Sequence, residues 1–386
     1  MSQPNPNETA FRRMNAVDPV WAGMCRLGSL PGLERRVILH AGPAHTAFDA
    51  IPVAVRNSLV NVVLREGWAP DEASALDLLA KGGIAIEPAQ DHAVFIPLAG
   101  AAGPSAQLIA VGDRTTGRAA YSPLNEGMAL CTRLGILHPD LPRHLRWLDE
   151  ELAPWIADRL AASPLPLFPL LREAIAREDD CHSRTLAGSE LLVAALLQRG
   201  AADEAVTAFL AAAPAFALNV WMAMCGLIAG AAEGVPDATL VTHAGGNGVQ
   251  FGFRLAGDPG RWHLAPAPAI RGDTDPRLTD AAPLPALGDS AIVDVMGLGG
   301  QILASAAPVR AALAAHLPPD ALTRPAQFLH GPLDGFGSPA ATDAARVQAT
   351  GQGPVILLGM IDGSGRHGRV GGGCVATSAA DFTTGR

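Results

Sequence analysis

The densest group of side chains that could do chemistry lies at residues 179–184, which read Asp-Asp-Cys-His-Ser-Arg. A histidine can move protons near neutral pH, and an arginine can hold a carboxylate or phosphate through two parallel hydrogen bonds. We therefore predict His182 and Asp179 as catalytic and Arg184 as substrate-binding. If the segment is helical, Asp180 and Arg184 share one face. The alternative is that an aspartate caps the next helix and the other side chains form a solvated face.

A second histidine, His40, ends the strand-like run that begins at Arg35 and enters the turn Ala41-Gly42-Pro43. The carboxyl ends of strands are where α/β sheets bind ligands. His40 is therefore predicted as a general acid or base, or as a donor to an oxyanion. The alternative is a histidine that only hydrogen-bonds the turn.

An amide and a carboxylate stand together at Asn125 and Glu126, between the turn formers Pro123 and Gly127. Such a pair offers donors and acceptors that can orient a urea-like substrate, so both residues are predicted as substrate-binding. The alternative is that Asn125 bonds its own backbone and that Glu126 lies in the first turn of a helix.

Two glycine-rich stretches are predicted as loops that present backbone N–H groups to anions. Residues 242–248 link two strand-like runs, and residues 288–290 and 297–300 precede a predicted helix. The substrate-binding residues predicted from them are Asn247, Asp289, Gly299 and Gly300. A hairpin turn at Asn247-Gly248 is the alternative for the first stretch.

No standard cofactor or metal signature is present in the sequence. Residues 363–368 match G-x-G-x-x-G, but the chain continues through more glycines and ends without the βαβ unit that a dinucleotide needs. The five cysteines are far apart and form no C-x-x-C pair, and the run at 179–184 lacks a third ligand for a metal. We predict no cofactor and no metal.

The helices and strands predicted around these residues indicate an α/β and α+β protein of several domains. Residues 1–145 are predicted as an α/β domain, with helices over 51–66 and 71–81 and a short helix within 9–29. Residues 146–235 are predicted as a helical domain. Residues 236–386 are predicted as an α+β, glycine-rich domain, with strands that include 291–295 and helices after Gly300 and over 340–350.

Composition restricts the partners of the chain. Its 386 residues carry 37 acidic and 28 basic side chains, a net charge of -9, and no basic run, so nucleic acid is not an expected partner. Residues 205–232 carry no charge, but Pro214 interrupts them and acidic residues flank them, which predicts two buried helices rather than a membrane span. The polar start of the sequence predicts a cytoplasmic protein.

The order of these turns resembles the AllG family of oxamate carbamoyltransferase subunits, also called YlbE-like. The matching motifs are Leu-His-Ala-Gly-Pro at 39–43, Glu-Gly-Trp-Ala at 66–69, Leu-Asn-Glu-Gly at 124–127, Asn-Gly-x-x-Phe-Gly at 247–252, Gly-Asp-Ser-Ala-Ile at 288–292 and Gly-Leu-Gly-Gly at 297–300. The chain departs from the family where Gln90 and Asp91 replace histidines, in the stretch around Asp180, and at Gly246, where relatives often carry arginine.

The resemblance implies a subunit that acts with an FdrA-like subunit and a further partner subunit. The implied reaction splits the ureide oxalurate with phosphate into oxamate and carbamoyl phosphate, in purine or allantoin breakdown. It implies Arg184 or Arg254 as the carboxylate grip, the glycine-rich backbone as the anion site, and His182 or His40 as the proton donor. Two alternatives remain open: a non-catalytic subunit that positions a partner's site, and an amidohydrolase or ligase-like enzyme acting on another ureide.

Overall fold

Helices and strands are mixed along the whole chain. The computed structural model describes residues 5–384. Its helices are α1 (Pro6–Asn15), α2 (Val53–Arg65), α3 (Glu72–Ala80), α4 (Leu141–Trp147), α5 (Ala153–Ala161), α6 (Leu167–Ala176), α7 (Leu186–Leu197), α8 (Glu204–Ala211), α9 (Phe216–Gly230), α10 (Ala291–Val295), α11 (Ala307–Ala312), α12 (Pro325–Phe328) and α13 (Ala344–Thr350). Its strands are β1 (Pro19–Arg26), β2 (Val37–His40), β3 (Ala85–Pro88), β4 (Ala101–Ala102), β5 (Gln107–Asp113), β6 (Ala119–Pro123), β7 (Leu165–Pro166), β8 (Val241–Asn247), β9 (Gln250–Leu255), β10 (Asp258–Pro266), β11 (Arg271–Thr274), β12 (Leu287–Gly288), β13 (Leu329–Leu333), β14 (Ser338–Thr342), β15 (Gln352–Ile361) and β16 (Arg369–Ser378). This mixture confirms the predicted α/β and α+β class.

The first unit is a three-stranded sheet in the order β3-β2-β4. Strands β2 and β3 are parallel, and helices α2 and α3 form the crossover that a parallel pair requires. Helix α3 begins where the Asp71 carboxylate accepts a hydrogen bond of 2.8 Å from the Ser74 N–H. The helices predicted over 51–66 and 71–81 are confirmed to within two residues at each end, and His40 ends its strand as predicted.

The helix predicted within residues 9–29 is wrong in its second half. Helix α1 is followed by β1, which lies between β5 and β7 in a sheet of the order β6-β5-β1-β7. The β1 strand is irregular between Trp21 and Gly23, and the Trp21 side chain is fully buried. Pairing along both edges and burial of one face therefore outweigh the local helical spacing.

Helix α9 forms the centre of the molecule. Its residues from Phe216 to Ala229 are buried with the exception of Leu218, and it packs against β5, β6, β8, α7 and α10. The predicted split near Pro214 is confirmed, since α8 and α9 meet at an angle of 74°. Within residues 5–384 no single helix is both long enough and apolar enough to cross a membrane.

Two predictions about the C-terminal third are wrong. Residues 291–295 form helix α10 rather than a strand, because all five are buried and a short, fully buried apolar run has no periodicity that distinguishes the two. Residues 242–247 belong to strand β8 rather than to a loop, and the chain turns at Gly248, where φ is +83°. The helix predicted over 340–350 begins only at Ala344.

The G-x-G-x-x-G segment at residues 363–368 is the turn of an antiparallel hairpin. It connects β15 to β16, which pair from Gln352–Ser378 to Ile361–Arg369. The Asp362 carboxylate fixes the turn by accepting hydrogen bonds from the N–H groups of Ser364 and His367 at 3.2 Å each. No helix begins at this turn, so it lacks the helix N-terminus on which a dinucleotide pyrophosphate lies.

One hydrophobic cluster runs from Ala10 in α1 to Phe382 near the end of the described chain. It takes side chains from all three predicted segments, and Trp21, Trp221 and Phe253 are among its large buried members. The boundaries near residues 145 and 235 stay a prediction.

The packing around α9 yields a prediction about two glycines in the second half of the helix, Gly226 and Gly230. A Cβ on Gly226 would lie 2.0 Å from the Phe95 ring, whereas a Cβ on Gly230 would come no closer than 3.5 Å to any neighbour. We expect Gly226→Ala to lower the free energy of unfolding by about 1–3 kcal/mol through overpacking. Gly230→Ala, the matched control, should change it by less than about 1 kcal/mol. Equal midpoints in urea unfolding of the two variants would contradict this account.

Candidate active site

A cavity of about 220 Å³ lies between the N-terminal end of α9, strand β15 and the loop that contains His182. Its wall consists of Pro97, Leu98, Met128, Arg133, Leu134, His182, Ser183, Ala215, Leu218, Ser290, Leu357, Leu358, Gly359, His367 and Arg369. We call it the His182 cavity.

His182 and Asp294 form a buried pair at this wall. The His182 Nδ1 lies 2.6 Å from the Asp294 Oδ2, and the two side chains are 5% and 0% exposed. Asp294 fixes Nδ1, so Nε2 is the ring nitrogen left for a molecule bound in the cavity. This arrangement of a carboxylate, a histidine and a cavity is that of a positioned general acid or base.

Electrostatics favour the charged form of His182. Burial of the ring works against the charge, but the carboxylate of Asp294 and its hydrogen bond, together with the charge of Asp180, outweigh burial and raise the pKa of His182 above 6.5. A histidine with a raised pKa carries its proton at neutral pH for a larger share of the time. It is therefore suited to giving a proton to a leaving group.

The loop that carries His182 is held by two aspartates and is not helical. Asp180 Oδ1 accepts hydrogen bonds from the N–H groups of His182 at 3.0 Å and Arg184 at 2.8 Å. Cys181 has a φ of +67°, which a helix does not allow. The prediction that Asp180 and Arg184 share a helix face is therefore wrong, and Asp180 serves to shape the loop.

Asp179 and Arg184 lie beside this loop, outside the cavity wall. Asp179 is fully buried and accepts a hydrogen bond of 2.7 Å from the Gly188 N–H in the first turn of α7. The Arg184 Nε lies 3.5 Å from the Asp179 Oδ1. The geometry thus gives Asp179 a role in fixing the helix start, and it places the Arg184 Nε beside Asp179.

The backbone N–H groups of Gly299 and Gly300 hydrogen-bond to the residues that position the His182–Asp294 pair. The Gly299 N–H donates to the Asp180 carbonyl at 2.7 Å, and the Gly300 N–H donates to the Asp294 Oδ1 at 2.9 Å. A Cβ on Gly299 would lie 2.3 Å from that same Oδ1, and its φ is +55°. Both backbone donors are occupied, so these glycines position Asp294 and do not offer the free N–H groups predicted for an anion.

Two arginines that sequence reasoning missed border the His182 cavity. Arg133 is buried, and its guanidinium contacts the Met128 sulfur at 3.4 Å. Arg369 is exposed at the mouth of the cavity, where its Nε donates to the Gly371 carbonyl at 2.9 Å. Within residues 5–384 neither arginine forms an ion pair, although the charge of Arg133 also acts on the buried Glu126 carboxyl.

The two guanidinium groups affect each other. Desolvation and the nearby charge of Arg133 lower the pKa of Arg369. Two neighbouring positive charges without carboxylate partners attract anions, and arginine suits planar carboxylates and phosphates. No local motif marks Arg133 or Arg369, which explains why sequence spacing did not find them.

The predicted residues Asn125 and Glu126 form internal contacts. The Asn125 amide donates to the Ala215 carbonyl at 3.0 Å and to the Asn219 Oδ1 at 2.9 Å. The Glu126 carboxyl accepts from the Thr132 N–H at 2.6 Å, and burial raises its pKa to about 7. Both side chains shape the segment that leads to Arg133, and neither lies on the cavity wall.

Asn247 is likewise used within the fold. Its Nδ2 donates to the Pro43 carbonyl at 2.9 Å, and its Oδ1 accepts from the N–H groups of Val249 and Gln250 at 2.9 Å and 2.7 Å. This is the hairpin-turn alternative weighed from the sequence. The amide is 1% exposed and is held within the fold by these contacts.

The segment at residues 95–98 lies between the His182 cavity and the residues His40 and Asp289. The His40 Nδ1 lies 2.8 Å from the Ala41 carbonyl, its ring is buried, and burial lowers its pKa. Asp289 accepts hydrogen bonds from the Gly42 N–H at 2.7 Å and the Ile96 N–H at 2.8 Å. His40 and Asp289 are therefore not brought together with His182.

Arg254 lines a different pocket. It forms an ion pair with Asp91, and its guanidinium lies 4.5 Å from the centre of the Trp262 ring. The structure thus separates Arg254 from His182, although both were predicted for one site. Across residues 5–384, no group of three or more His, Cys, Asp or Glu side chains is placed to hold a metal ion.

Comparisons with known proteins give a family and two relatives with nearly full coverage. The profile of a family described as oxamate carbamoyltransferase subunit AllG matches residues 84–290. The chain is 31% identical to the uncharacterized protein YahG of Escherichia coli over 97% of this chain and 84% of that protein. It is 28% identical to the oxamate carbamoyltransferase subunit AllG of Escherichia coli over 97% of this chain and 95% of that protein.

A solved structure has the same fold. It is the crystal structure of a conserved protein of unknown function from Enterococcus faecalis, with a TM-score of 0.92 and 26% sequence identity. The match covers 98% of this chain and 95% of that one. The architecture described above is thus shared over nearly the whole length of both chains.

The buried pair predicts how His182 titrates. We expect Asp294→Asn to lower the pKa of His182, because the charge that holds its proton is removed while burial of the ring remains. Side-chain nitrogen NMR of His182 across a pH series measures this shift. Asp280→Asn is the matched control, since Asp280 faces His367 at 3.1 Å instead. An unchanged His182 titration in Asp294→Asn would refute the assigned pairing.

Proposed function

The chain belongs to the AllG family, as the order of its turns predicts, and we propose that it is a subunit of a carbamoyltransferase complex that acts on a small ureide in its His182 cavity. The observation that carries the proposal is the His182–Asp294 pair at the wall of a cavity that also holds two arginines without carboxylate partners. A relative is named as an oxamate carbamoyltransferase subunit, and we propose oxalurate as the ureide and phosphate as the acceptor.

The proposed reaction requires the site first to hold two anions and second to move one proton. A phosphate oxygen attacks the terminal carbonyl carbon of oxalurate, the new C–O bond forms, and the C–N bond to the oxamate nitrogen breaks. The electron pair of that bond stays on the nitrogen, which takes up a proton, and the phosphate gives up the proton it carried. Two anions must therefore lie side by side, and one proton must move between them.

Arg133 and Arg369 meet the first demand. Their positive charges border one cavity, and their mutual repulsion falls when anions lie between them. Each guanidinium can hold a carboxylate or a phosphate in a planar fork. We therefore assign the grip on the oxalurate carboxylate and on phosphate to this pair, in place of Arg184 and Arg254.

His182 meets the second demand. Its Nε2 can donate a proton to the leaving nitrogen and recover one from phosphate, while Asp294 stabilises the imidazolium. Ser183 and Ser290 line the same cavity, and their hydroxyl groups can donate or accept hydrogen bonds there.

Two of the departures from the family pattern, Gln90 and Asp91, line the pocket of Arg254 and not the His182 cavity. Asp180 has two backbone partners in the His182 loop. Ser183, in the same departing stretch, does line the His182 cavity, so a change of ligand preference would act through this residue.

We extend the proposal to the setting of the complex. An FdrA-like subunit and one further subunit complete it, and it works in purine or allantoin breakdown in the cytoplasm. The five free cysteines agree with a reducing compartment. The name of the Escherichia coli relative as a subunit supports assembly with other chains.

The catalytic role is tested in the complex reconstituted with its partner subunits. We expect His182→Asn to lower kcat for phosphate-dependent formation of carbamoyl phosphate from oxalurate by about 10²–10⁴-fold, the usual contribution of a general acid. Arg143→Met, which replaces an exposed arginine on α4, is the matched control and should leave kcat unchanged. Full turnover in His182→Asn would favour the non-catalytic alternative.

The two arginines are tested by substrate dependence in the same assay. Arg133→Met and Arg369→Met should each raise the KM for phosphate or oxalurate about tenfold or more, because each removes charge-assisted hydrogen bonds to an anion. Methionine keeps much of the side-chain volume of arginine. Unchanged KM values for both anions in both variants would refute the grip assigned here.

The pH profile gives a further check. Because the proposed acid is the protonated His182, kcat should fall as pH rises through its raised pKa, above 6.5. In Asp294→Asn the fall of kcat should occur at lower pH, since the pKa of His182 falls when the carboxylate is lost. If kcat falls at the same pH in Asp294→Asn as in the natural chain, the titrating group is not His182.

A further inference from the structure

One amide side chain connects the two segments that carry the arginines of the His182 cavity. Asn57 lies on helix α2, and its Nδ2 donates hydrogen bonds to the Gly135 carbonyl at 3.0 Å and to the Gly365 carbonyl at 3.2 Å. Gly135 closes the turn that contains Arg133, and Gly365 lies in the hairpin turn that leads to Arg369. We propose that Asn57 is a positioning residue, which sets the spacing of the two guanidinium groups. We call its two hydrogen bonds the Asn57 bridge.

Helix α2 holds the turn around Arg133 by further contacts from the same face. The Ser58 Oγ donates to the Thr132 carbonyl at 2.6 Å, and the Asn61 Nδ2 donates to the Ile136 carbonyl at 2.8 Å. Both side chains are buried, and residues three or four positions apart lie on one face of a helix. Arg133 therefore extends from backbone that is bonded to α2 on either side of it.

The hairpin turn meets this backbone without a side chain of its own in between. A Cβ on Gly365 would lie 2.3 Å from the Asn57 Nδ2 and 3.1 Å from the Gly135 carbonyl oxygen, and the φ of Gly365 is +70°. The Asp362 carboxylate holds the turn together internally. The contact at Gly365 therefore places the whole turn, and with it the start of β16 at Arg369.

The outer side of the hairpin turn has only exposed ion pairs among its side-chain contacts described above. The Asp280 carboxylate lies 3.1 Å from the Arg366 Nη2 and 3.1 Å from the His367 Nε2, and its side chain is 56% exposed. Exposed ion pairs contribute little to the position of a segment. Asn57 is half-buried and bonds to backbone between the two segments, so it is placed to set their spacing.

The two arginines require such a connection because their charges repel each other. Desolvation and the nearby charge of Arg133 lower the pKa of Arg369. Without bound anions, this repulsion favours a wider spacing of the two segments. Asn57 can bond one carbonyl with each of its two amide hydrogens, so it opposes the movement without adding a charge. Anions then meet two arginines that are already close, which lowers the free-energy cost of ordering the site on binding.

The bridge is tested first in the intact chain alone, by hydrogen exchange measured with mass spectrometry. Asn57→Leu keeps much of the side-chain shape but removes both donors, and it should speed exchange in the hairpin turn at residues 362–368. Asn61→Leu is the matched control on the same helix. It removes a donor to the segment at residues 132–136 but none to the hairpin, so the hairpin turn should exchange as in the natural chain. Unchanged exchange of the hairpin turn in Asn57→Leu would refute the bridge.

The effect on anion binding is tested in the reconstituted complex and rests on the grip proposed for the two arginines. Asn57→Leu should raise the KM for phosphate or oxalurate about three- to tenfold, the range expected for one or two hydrogen bonds. The pH at which kcat falls should stay the same, because His182 is not changed. Added to Arg369→Met, Asn57→Leu should raise KM no further, since the spacing matters only while both guanidinium groups are present.

A second variant approaches the same contact from the hairpin. Gly365→Ala places a methyl group against the Asn57 amide and should raise the same KM values. Gly337→Ala is its matched control, because Gly337 has a similar φ of +71° and a Cβ there would meet no atom within 4 Å. It should leave both KM values unchanged.

The outcomes separate this inference from the proposed function. If Arg369→Met raises KM while Asn57→Leu and Gly365→Ala do not, Asn57 is not a positioning residue and the grip on anions stands. If Asn57→Leu lowers kcat at unchanged KM, its role is structural and the inference is wrong. If neither Arg133→Met nor Arg369→Met changes KM, the grip is refuted and the inference fails with it.

Discussion

The buried carboxylate of Asp289 holds the polar centre of the molecule together. It accepts hydrogen bonds from Gly42 after β2, from Gln90 and from Ile96, and so joins three segments of the chain at one point. Burial raises the pKa of Asp289 to about 7 in spite of these donors, so the fold tolerates an unfavourable desolvation to keep this junction. The walls of both cavities depend on it, because Gln90 lines one and the segment that follows Ile96 lines the other.

Helix α10 connects this junction to the His182–Asp294 pair. The short helix begins directly after Asp289 and Ser290 and carries Asp294, which fixes the His182 ring. Four buried residues, 290–293, therefore connect the structural carboxylate to the one that faces the histidine. A helix of this length has little stability of its own, and its position comes from packing against α9, β8 and β15.

The sequence pattern correctly predicted those parts of the molecule whose secondary structure is decided by local interactions. Helices α2, α3, α8 and α9 follow from spacing and end signals, and His182 stands out because reactive residue types cluster around it. Arg133, Asp294 and Arg369 did not stand out, since they lie up to 187 residues from His182 in sequence and meet it only through α9, α10 and the β15–β16 hairpin. Residues 291–295 and 19–26 were assigned wrongly because tertiary burial, and not local preference, decides their conformation.

The glycines at 42 and 246 mark where main chains touch without side chains between them. A Cβ on Gly42 would lie 2.4 Å from the Gly246 carbonyl carbon, and one on Gly246 would lie 2.2 Å from the Ala286 oxygen. No rotamer change can relieve a clash with backbone, so in this chain a larger residue at either position requires the main chain itself to move. Where relatives carry arginine in place of Gly246, the segment around Ala286 must therefore take a different course, whereas Gly42 belongs to a motif that the chain shares with the family.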